Sequence, residues 1–366
     1  MTIYNVAVSI KKSLWNAEER KEFSGLSVKV VKGHTVVSRA ENNYVPGFVQ
    51  DGVIAGKQIV FPVSKSTQLL FLNGSQYARF AADTGAQLEK LDTWDGFFDM
   101  AAAYRQWSQG KPFCALDYPL RLAELNALEQ GAGTLYKDNW YDLDNEAFHA
   151  SWLEFARGLV RGDIIVSDLY SNTQVMTGET LAGLGSSAAI LYYNDVVTYP
   201  DNTTEPTDLL LAALPHAANA NTLLMPQAGV GLCAFKTTER KAEAAAVFLR
   251  WLTEQQRNLD FAAATGYMPV VNAAFDAIAD YPFPQQSYQR LYDVYNQMRA
   301  EDTPLSEPAM VGYHARAKVL YDQLRQRQKQ YPSGLRTGRR WMRWPRRHGN
   351  CCARTSDLRT RRKGGA

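Results

Sequence analysis

The clearest periodic pattern in the chain lies in residues 225–271, where an apolar run precedes a long helical period. Residues 230–235 are almost all apolar, which predicts a buried strand. Thr237 or Thr238 then offers an N-cap oxygen, and the spacing of the apolar residues that follow predicts one long amphipathic helix. The residues expected on its buried face are Ala244, Val247, Phe248, Trp251, Leu252 and Leu259.

A stiff turn is predicted after that helix. Gly266 supplies a residue that tolerates the left-handed conformation in which many helices end. Pro269 restricts the backbone two residues beyond Tyr267. The pattern therefore predicts an aromatic ring held in a fixed position.

The same periods predict strands and helices along the rest of the chain. Strands are expected near residues 58–61, 69–73, 112–118 and 209–214, and helices over 95–107, 144–162, 285–300 and 312–331. Thr93 is the expected N-cap of the first of these helices. The second has an apolar stripe of Phe148, Trp152, Phe155 and Leu159, which predicts one buried face. This mixed order of elements indicates an α/β protein.

Two segments resemble bacterial ABC-transporter extracellular solute-binding proteins of the group that takes sugars and glycerol phosphates. Residues 56–73 read GKQIVFPVSKSTQLLFLN and residues 92–104 read DTWDGFFDMAAAY. Further along, residues 229–235 read GVGLCAF, residues 245–252 read AAVFLRWL and residues 265–270 read TGYMPV. These stretches make up two segments, residues 56–104 and residues 229–270. Both segments are similar to the family's patterns and occur in the same order as in the family. The resemblance covers residues 44–331.

The resemblance implies an α/β fold of two lobes that close on a ligand like a clamp, with crossover strands at a hinge. The first lobe is expected to comprise residues 44–112 and 230–275, and the second residues 113–229 and 276–332. The crossovers are expected at 112–118 and 229–235. Residues 1–43 match no part of the family pattern, so we expect an incomplete first lobe with an atypical or truncated N-terminus.

The resemblance also implies where a ligand binds. Its motif positions correspond to Ser66 and Thr67, to Ser186 or Ser187, to Gly229 or Gly231, and to Tyr267. A basic group on the last helix is also expected to contact ligand, with Arg316 and Lys318 as the two candidates. Tyr118, at the end of the first expected crossover, completes the set because sugars stack their apolar faces on aromatic rings. Tight packing explains the glycines and serines equally well from their spacing alone.

Charge is distributed unevenly along the chain. Residues 333–366 hold eleven Lys or Arg and one acid, whereas the rest of the chain carries 29 basic and 36 acidic residues. The tail shows no helical or strand period, so it is predicted to be a disordered basic appendage or the product of a wrong reading frame. Nucleic-acid binding through this tail is a weaker hypothesis than solute capture or an enzymatic action on carbohydrates. The protein is therefore not expected to bind nucleic acid.

Catalytic motifs are few. Gly183–Ala188 and Gly229–Ala234 both fit the dinucleotide pattern G-x-G-x-x-A, but neither opens a helix in an early βαβ unit. The five histidines lack metal-ligand spacing, and no metal or cofactor is expected. Asp142 and Asp144 are a possible carboxylate pair for glycoside hydrolysis, but their acidic loop favours solvation and capping. The protein is therefore not expected to be an enzyme, and a carbohydrate-active enzyme using the same cleft is the alternative.

Location and partners follow from the resemblance. No run approaches the roughly 18 apolar residues that span a bilayer, and the N-terminus shows no secretory signal. The family is extracellular or periplasmic and associates with the membrane subunits of an ABC permease, so the same location and partner, and a monomeric state, are expected here. Cys114 and Cys233 are expected to be buried thiols, although a bridge between them stays open.

Overall fold

The computed structural model describes residues 2–5, 28–31, 34–37, 44–54, 56–138, 140–142, 144–168, 170–234, 238–308, 310 and 312–330. The basic tail and most of residues 1–43 lie outside this set, and so do the expectations for them. Contacts divide the chain into two compact units. The first holds the described residues up to Thr67, with Met225–Ala300 and Pro304–Glu307. The second holds Gln68–Leu224 and Glu301–Thr303 with the described residues from Pro308 onward.

Strands and helices alternate along the described residues, so the prediction of an α/β fold is confirmed. The strands are β1 Thr2–Asn5, β2 Val28–Val31, β3 His34–Val37, β4 Val53–Ile54, β5 Lys57–Gln58, β6 Phe61–Ser66, β7 Gln68–Asn73, β8 Cys114–Leu116, β9 Tyr136–Lys137, β10 Trp140–Tyr141, β11 Ile164–Val166, β12 Ala182–Ser186, β13 Val196–Thr198, β14 Thr204–Pro206, β15 Leu209–Ala212, β16 Leu223–Cys233 and β17 Asp302–Ser306. The α-helices are α1 Pro46–Gln50, α2 Gly74–Thr84, α3 Trp94–Trp107, α4 Pro119–Glu129, α5 Glu146–Arg161, α6 Ser171–Met176, α7 Glu239–Leu252, α8 Gln255–Thr265, α9 Asn272–Ala277, α10 Gln286–Glu301 and α11 Tyr313–Gln328. Short 3-10 helices span Leu88–Asp92, Ser187–Tyr192 and Ile278–Asp280.

β16 is the central strand of the first unit's sheet. It pairs in parallel with β1 and antiparallel with β6, and β17 is a further neighbour. Sequence predicted this strand over residues 230–235, but it begins at Leu223 and ends at Cys233. The start was missed because residues 223–229 mix apolar residues with Pro, Gln and Gly, which weakens the apolar signal.

The single long helix predicted after β16 is two helices, α7 and α8. Thr238 is the N-cap of α7, as expected for one of the two threonines, and its side chain accepts a bond of 3.4 Å from a first-turn amide. Thr237 lies outside the described residues. At the other end the Thr253 hydroxyl donates back to the Leu249 carbonyl at 2.8 Å. Glu254 then adopts an extended ψ of 147°, so α8 begins separately.

α7 packs on the sheet with a different face from the one predicted. Its buried residues are Ala242, Ala246 and Leu249, and Leu249 packs with Phe61 and Val63. Trp251, which was predicted to be buried, is 42% exposed. The prediction used helical spacing alone and therefore chose the face with the larger apolar residues. Small alanines let a helix approach a sheet closely, so the alanine face packs on the sheet and the larger apolar residues cover its flank.

The second unit is built on a five-stranded sheet in the order β11-β8-β12-β7-β15. β8 runs parallel to β11 and β12, whereas β7 runs antiparallel to β12 and β15. All three residues of β8 are fully buried, which fits a central strand covered on both faces. Cys114 on β8 carries a free thiol, so no disulfide joins it to Cys233.

Helices α3 and α5 bring aromatic side chains onto this sheet. Thr93 is the N-cap of α3, as predicted, and accepts a hydrogen bond from the Gly96 amide at 3.2 Å. The predicted stripe of α5 is confirmed, since Phe148, Trp152, Phe155 and Leu159 are all buried. Trp94 on α3 meets Phe155 edge to face with ring centroids 4.8 Å apart, which joins the two helices in one aromatic core.

The boundaries between the units differ from the expected lobes. β7 pairs with β12 and β15, so residues 68–112, expected in the first lobe, pack in the second unit. The chain first passes between units at Thr67, and not at residues 112–118, which form the interior strand β8. α10 was expected in the second lobe, but the hydroxyls of Tyr292 and Tyr295 donate to carbonyls of Ala262 and Gly266 in the first unit at 2.6 and 2.7 Å.

None of the described helices combines the length and apolar character that crossing a bilayer requires.

Candidate functional site

Three parallel strands of the second unit end at one edge of its sheet. β8, β11 and β12 lie side by side with the same direction, and their last residues are Leu116, Val166 and Ser186. In open α/β sheets, ligands bind outside the carboxyl ends of parallel strands. The loops after these strands hold three of the residues predicted to contact ligand, namely Tyr118, Ser186 and Ser187. We call this surface the carboxyl edge.

Tyr118 presents its ring at the carboxyl edge. The side chain is 37% exposed and lies edge to face with Tyr321 of α11, the ring centroids being 6.1 Å apart. Pro119 is the first residue of α4, which fixes the backbone directly after the tyrosine. The ring therefore packs against Tyr321 and is still partly accessible to solvent.

Tyr170 is a second exposed ring at the same edge, and sequence reasoning missed it. Its side chain is 60% exposed, and it precedes α6, four residues after the end of β11. The signal was present, because an aromatic residue that follows the apolar strand Ile164–Val166 lies at a strand end in any α/β fold. The two tyrosines follow two adjacent parallel strands.

Asp117, which directly precedes Tyr118, was also missed. It is buried, and its Oδ1 accepts a hydrogen bond from the Ser171 backbone amide at 2.7 Å. Burial raises the pKa of Asp117 to about 6, and bonds from Ser167 and Ser171 together with the charge of Arg325 oppose that rise. The Asp117 carboxylate thus bonds to the backbone at the start of α6.

Ser186 and Ser187 lie at the strand-to-helix corner that was predicted for them. β12 ends at Ser186, which is half-buried, and a 3-10 helix begins at Ser187, which is fully buried. The preceding Gly185 is small for a packing reason, since a Cβ there would lie 2.3 Å from Asp117 Oδ2. Gly183 and Gly185 both lie inside β12 and not in a turn between a strand and a helix. Packing of the strand therefore accounts for this G-x-G-x-x-A sequence, and no nucleotide-binding site is needed to explain it.

Arg316 belongs to an aromatic cluster in the second unit. Its guanidinium carbon lies 5.3 Å from the ring centroid of Trp140, and Tyr313 lies 5.9 Å from the same ring. The buried hydroxyl of Tyr141 lies 3.1 Å from that of Tyr313 and donates to Glu124 at 2.5 Å. Lys318, the other basic candidate, is exposed and pairs with Asp322 at 2.9 Å.

The remaining candidates gather around Lys65 at the end of β6 in the first unit. Lys65 exchanges two backbone hydrogen bonds of 2.6 and 3.1 Å with Met268, so Ser66 and Tyr267 each lie one residue from this bridge. Ser66 and Thr67 are buried. The Lys65 ammonium forms a buried ion pair with Asp51. Burial lowers the pKa of Lys65, and the Asp51 carboxylate opposes that effect.

Tyr267 is half-buried and held by a rigid turn, as predicted. Its ring stacks on Phe261 with centroids 6.4 Å apart and planes inclined by 22°. Its carbonyl accepts a bond of 3.0 Å from the Tyr292 hydroxyl. Gly266 before it is left-handed at φ 69°, the conformation expected of that glycine.

Gly229 and Gly231 are explained by packing against β6. Gly229 has φ 127°, and a Cβ on it would lie 2.4 Å from the carbonyl oxygen of Ser64. A Cβ on Gly231 would lie 2.3 Å from Val60. Close strand contact thus accounts for both glycines, and this alternative was as well supported by the sequence as ligand contact.

Chemical groups at these places favour binding by stacking and hydrogen bonding. Within the described residues, no group of three or more His, Cys, Asp or Glu side chains is arranged to hold a metal ion. A pocket in the first unit lies between α7 and the sheet and is lined by Ile59, Phe61, Leu232 and the alanines of α7, and it includes none of the candidate residues.

Comparison with known proteins agrees with the fold. The profile of the family described as bacterial extracellular solute-binding protein matches residues 6–284. No curated protein sequence matches the chain. Among solved structures, UgpB from Mycobacterium tuberculosis in complex with glycerophosphocholine is 17% identical, with a TM-score of 0.61, and the alignment covers 87% of this chain and 75% of UgpB.

Two further structures are similar in the same way. The cyclic alpha-maltosyl-1,6-maltose binding protein from Arthrobacter globiformis is 16% identical with a TM-score of 0.58, over 85% of this chain and 76% of that one. Lmo0181 from Listeria monocytogenes, in complex with cycloalternan, is 9% identical with a TM-score of 0.60, over 93% and 82%. At these identities the likeness shows a shared fold.

Proposed function

The chain belongs to the bacterial extracellular solute-binding proteins, and from this premise we propose that it captures a carbohydrate, a polyol or a glycerol-phosphate compound for an ABC importer. The observation that carries the proposal is the carboxyl edge, where Tyr118 presents a half-open ring beside Ser186 and Ser187. Rings stack on the apolar faces of sugars, and serine hydroxyls and amides satisfy their hydroxyl groups.

The neighbouring structures support the same class of ligand. UgpB is in complex with glycerophosphocholine, a second protein is named for binding cyclic alpha-maltosyl-1,6-maltose, and a third is in complex with cycloalternan. In the first unit Ser66, Thr67 and Tyr267 lie around Lys65, which supplies a second group of polar and aromatic residues. We propose each of these residues as a ligand contact, and Arg316 as the contact for anionic or hydroxyl groups. Gly229 and Gly231 then serve the packing of β6.

Delivery to an ABC permease and action outside the cytoplasmic membrane are part of the proposal, because the family is extracellular. We propose that the permease recognises the ligand-bound form of the protein. We propose that the protein acts as a monomer without a cofactor and does not catalyse a reaction. Incubating it with each bound compound and analysing the mixture for products tests the last statement.

A thermal-shift panel tests the proposed function. The folded protein is heated with maltose, larger glucose oligomers, glycerol, sn-glycerol 3-phosphate and glycerophosphocholine, and a compound that binds the native state raises Tm with its concentration. Titration calorimetry then gives the affinity of each compound that raises Tm. If none of these compounds shifts Tm at millimolar concentration, the proposed ligand class is wrong.

A pair of variants locates the ligand. We expect Tyr118→Ala to weaken binding about tenfold or more, because aromatic stacking of this kind contributes on the order of 1 kcal/mol beyond the area that it buries. Trp251→Ala is the matched control, since Trp251 is an equally exposed aromatic residue on α7 of the first unit. Equal affinities of the two variants would place the ligand away from the carboxyl edge.

A further inference from the structure

We propose that Asp117 is a positioning residue that holds Tyr118 and Tyr170 as a pair of rings at the carboxyl edge, and that its protonation loosens the pair and weakens ligand binding. The inference rests on the proposed function. Asp117 is buried, and in this role its carboxylate contacts protein groups and leaves ligand contact to the rings.

The two rings flank one hydrogen bond. Asp117 Oδ1 accepts from the Ser171 amide at 2.7 Å, Tyr118 directly follows Asp117, and Tyr170 directly precedes Ser171. The bonded amide belongs to the peptide that joins Tyr170 to Ser171, so the bond fixes the backbone of that tyrosine. Both tyrosines are exposed, at 37% and 60%. This carboxylate therefore links the backbones that hold both rings.

The same residue joins three neighbouring segments. Its own amide donates to the Leu184 carbonyl of β12 at 3.0 Å, and its Oδ2 lies so close to Gly185 that a Cβ there would approach to 2.3 Å. Ser167 on the loop after β11 donates its amide to Leu116 at 3.0 Å. The end of β8, β12 and the start of α6 thus meet at one residue, through its backbone amide and its carboxylate.

The start of α6 has no side-chain cap of its own. Tyr170 occupies the N-cap position, and its side chain makes no capping hydrogen bond. The first amides of a helix require acceptors from outside the helix. Asp117 supplies the acceptor for Ser171, and an ionised carboxylate accepts more strongly than a neutral group.

Charged and titratable neighbours set how Asp117 responds to pH. Burial raises its pKa to about 6, whereas Ser167, Ser171 and Arg325 of α11 act in the opposite direction. Cys114 of β8 and Tyr193, beyond the 3-10 helix, face it as further titratable groups, and burial raises the pKa of both. Between pH 7.5 and 5 the carboxylate therefore takes up a proton and becomes a weaker acceptor.

Under this proposal a fall in pH changes the free energy of unfolding and the ligand affinity in opposite directions. Because burial raises the folded pKa of Asp117 above its ordinary value of 3.8, the ionised carboxylate destabilises the fold at neutral pH, and its protonation relieves that cost. Acid thus raises the free energy of unfolding of the whole unit while it weakens the bond to Ser171 and, with it, ligand binding. A purely structural role would move both quantities together.

The test uses the full chain and three variants. Asp117→Ala removes the acceptor, Asp117→Asn keeps an acceptor that does not titrate, and Asp163→Asn is the control because it replaces a buried carboxylate at the amino end of β11. Hydrogen exchange of a peptide covering residues 168–177 is measured without ligand. Affinities for maltose and for glycerophosphocholine are measured by calorimetry at pH 7.5 and 5.0.

We expect Asp117→Ala to speed exchange at the start of α6 and to weaken binding at least about tenfold, since hydrogen bonds to charged groups are among the stronger ones. Wild-type affinity falls several-fold at pH 5.0, whereas Asp117→Asn shows no such fall and keeps a Tm at or above that of wild type at pH 7.5. The Asp163→Asn variant matches wild type in exchange and in affinity.

Three outcomes would overturn the inference. They are unchanged exchange in Asp117→Ala, an affinity of that variant within twofold of wild type, and a pH profile of Asp117→Asn that follows the wild-type profile. Wild-type protein that binds neither probe would count against the proposed function instead, and the ligand-free exchange data would then still decide whether Asp117 holds α6.

Discussion

Replacement of Glu129 by glutamine should destabilise the second unit in a pH-dependent way. Glu129, the last residue of α4, is buried and accepts three hydrogen bonds. His216 Nδ1 lies 2.7 Å away, and the amides of Ala217 and Leu224 donate at 2.7 and 2.8 Å. His216 Nε2 lies 3.7 Å from Asp302, so the imidazole is held between two carboxylates.

The pKa values give the sign of the effect. Burial by itself lowers the pKa of His216, but the hydrogen bond and charge of Glu129, with the charges of Asp302 and Asp92, raise it above its ordinary value of 6.5. The interaction therefore contributes its full stability below about pH 6.5 and loses it as pH rises through the raised folded value. Burial also raises the pKa of Asp302 to about 6, so this group too binds a proton more readily in the folded state.

The expected cost of Glu129→Gln is about 3 kcal/mol at pH 6 and about half as much at pH 9. Removal of one partner from a buried charged pair costs about 3 to 5 kcal/mol, and the glutamine oxygen keeps part of the hydrogen bonding. At pH 9 the neutral imidazole loses only a hydrogen-bond acceptor. The larger value applies where His216 is charged.

Urea unfolding of wild type, Glu129→Gln, His216→Gln and the double variant at both pH values measures this effect. Glu243→Gln, an exposed change on α7, is the control and should change stability by less than about 0.5 kcal/mol. The double variant should show coupling at pH 6 that shrinks at pH 9. A cost below 1 kcal/mol at pH 6, or an equal cost at both values, would refute the reasoning.

Two further predictions concern packing. Leu249→Ala should lower the free energy of unfolding in urea by about 2 to 4 kcal/mol, and Trp251→Ala by less than about 1 kcal/mol, because only the leucine is buried. The reverse order would show that the face first predicted for α7 is the buried one. Gly185→Ala should lower Tm markedly, since its Cβ would overlap the Asp117 carboxylate, while Gly133→Ala, with nothing within 4 Å, should not; equal Tm values would contradict the close contact at β12.

Local signals in the sequence were reliable where one residue decides the local structure. Thr93 and Thr238 are N-caps as predicted, because a threonine oxygen satisfies helix amides whatever packs on the helix. The apolar stripe of α5 is buried as predicted, since four large residues at helical spacing have one common face. Ser186 and Ser187 lie at the expected corner for a similar local reason.

Helical spacing was misleading where competing faces were both apolar. α7 has alanines on one face and larger residues on the next, and the buried face is the one with Ala242 and Ala246. Periodicity measures hydrophobicity and not the distance at which a helix packs. The break before α8 also escaped prediction, because helix-forming residues continue on both sides of it and the extended backbone of Glu254 has no sequence signal such as Gly or Pro.

The local setting of the candidate residues could be predicted in part. Ser186 and Tyr267 were named from the resemblance and Tyr118 from its place after an expected strand, and they lie at a strand end, on the turn after α8 and two residues after β8. Asp117 and Tyr170 were missed, because their importance depends on which strands are neighbours. A buried aspartate beside a tyrosine has no motif of its own.

Local patterns in the sequence were sufficient to predict the α/β class, the positions of most elements and the family to which the chain belongs. Each of these depends on residues that are close in the chain, where propensity, capping and period act directly. The pairing of β7 with β12 and β15, the division of the units at Thr67 and the bond between Asp117 and Ser171 became visible only in the folded protein. Such pairings join residues far apart in sequence, and their stability depends on how whole surfaces fit together.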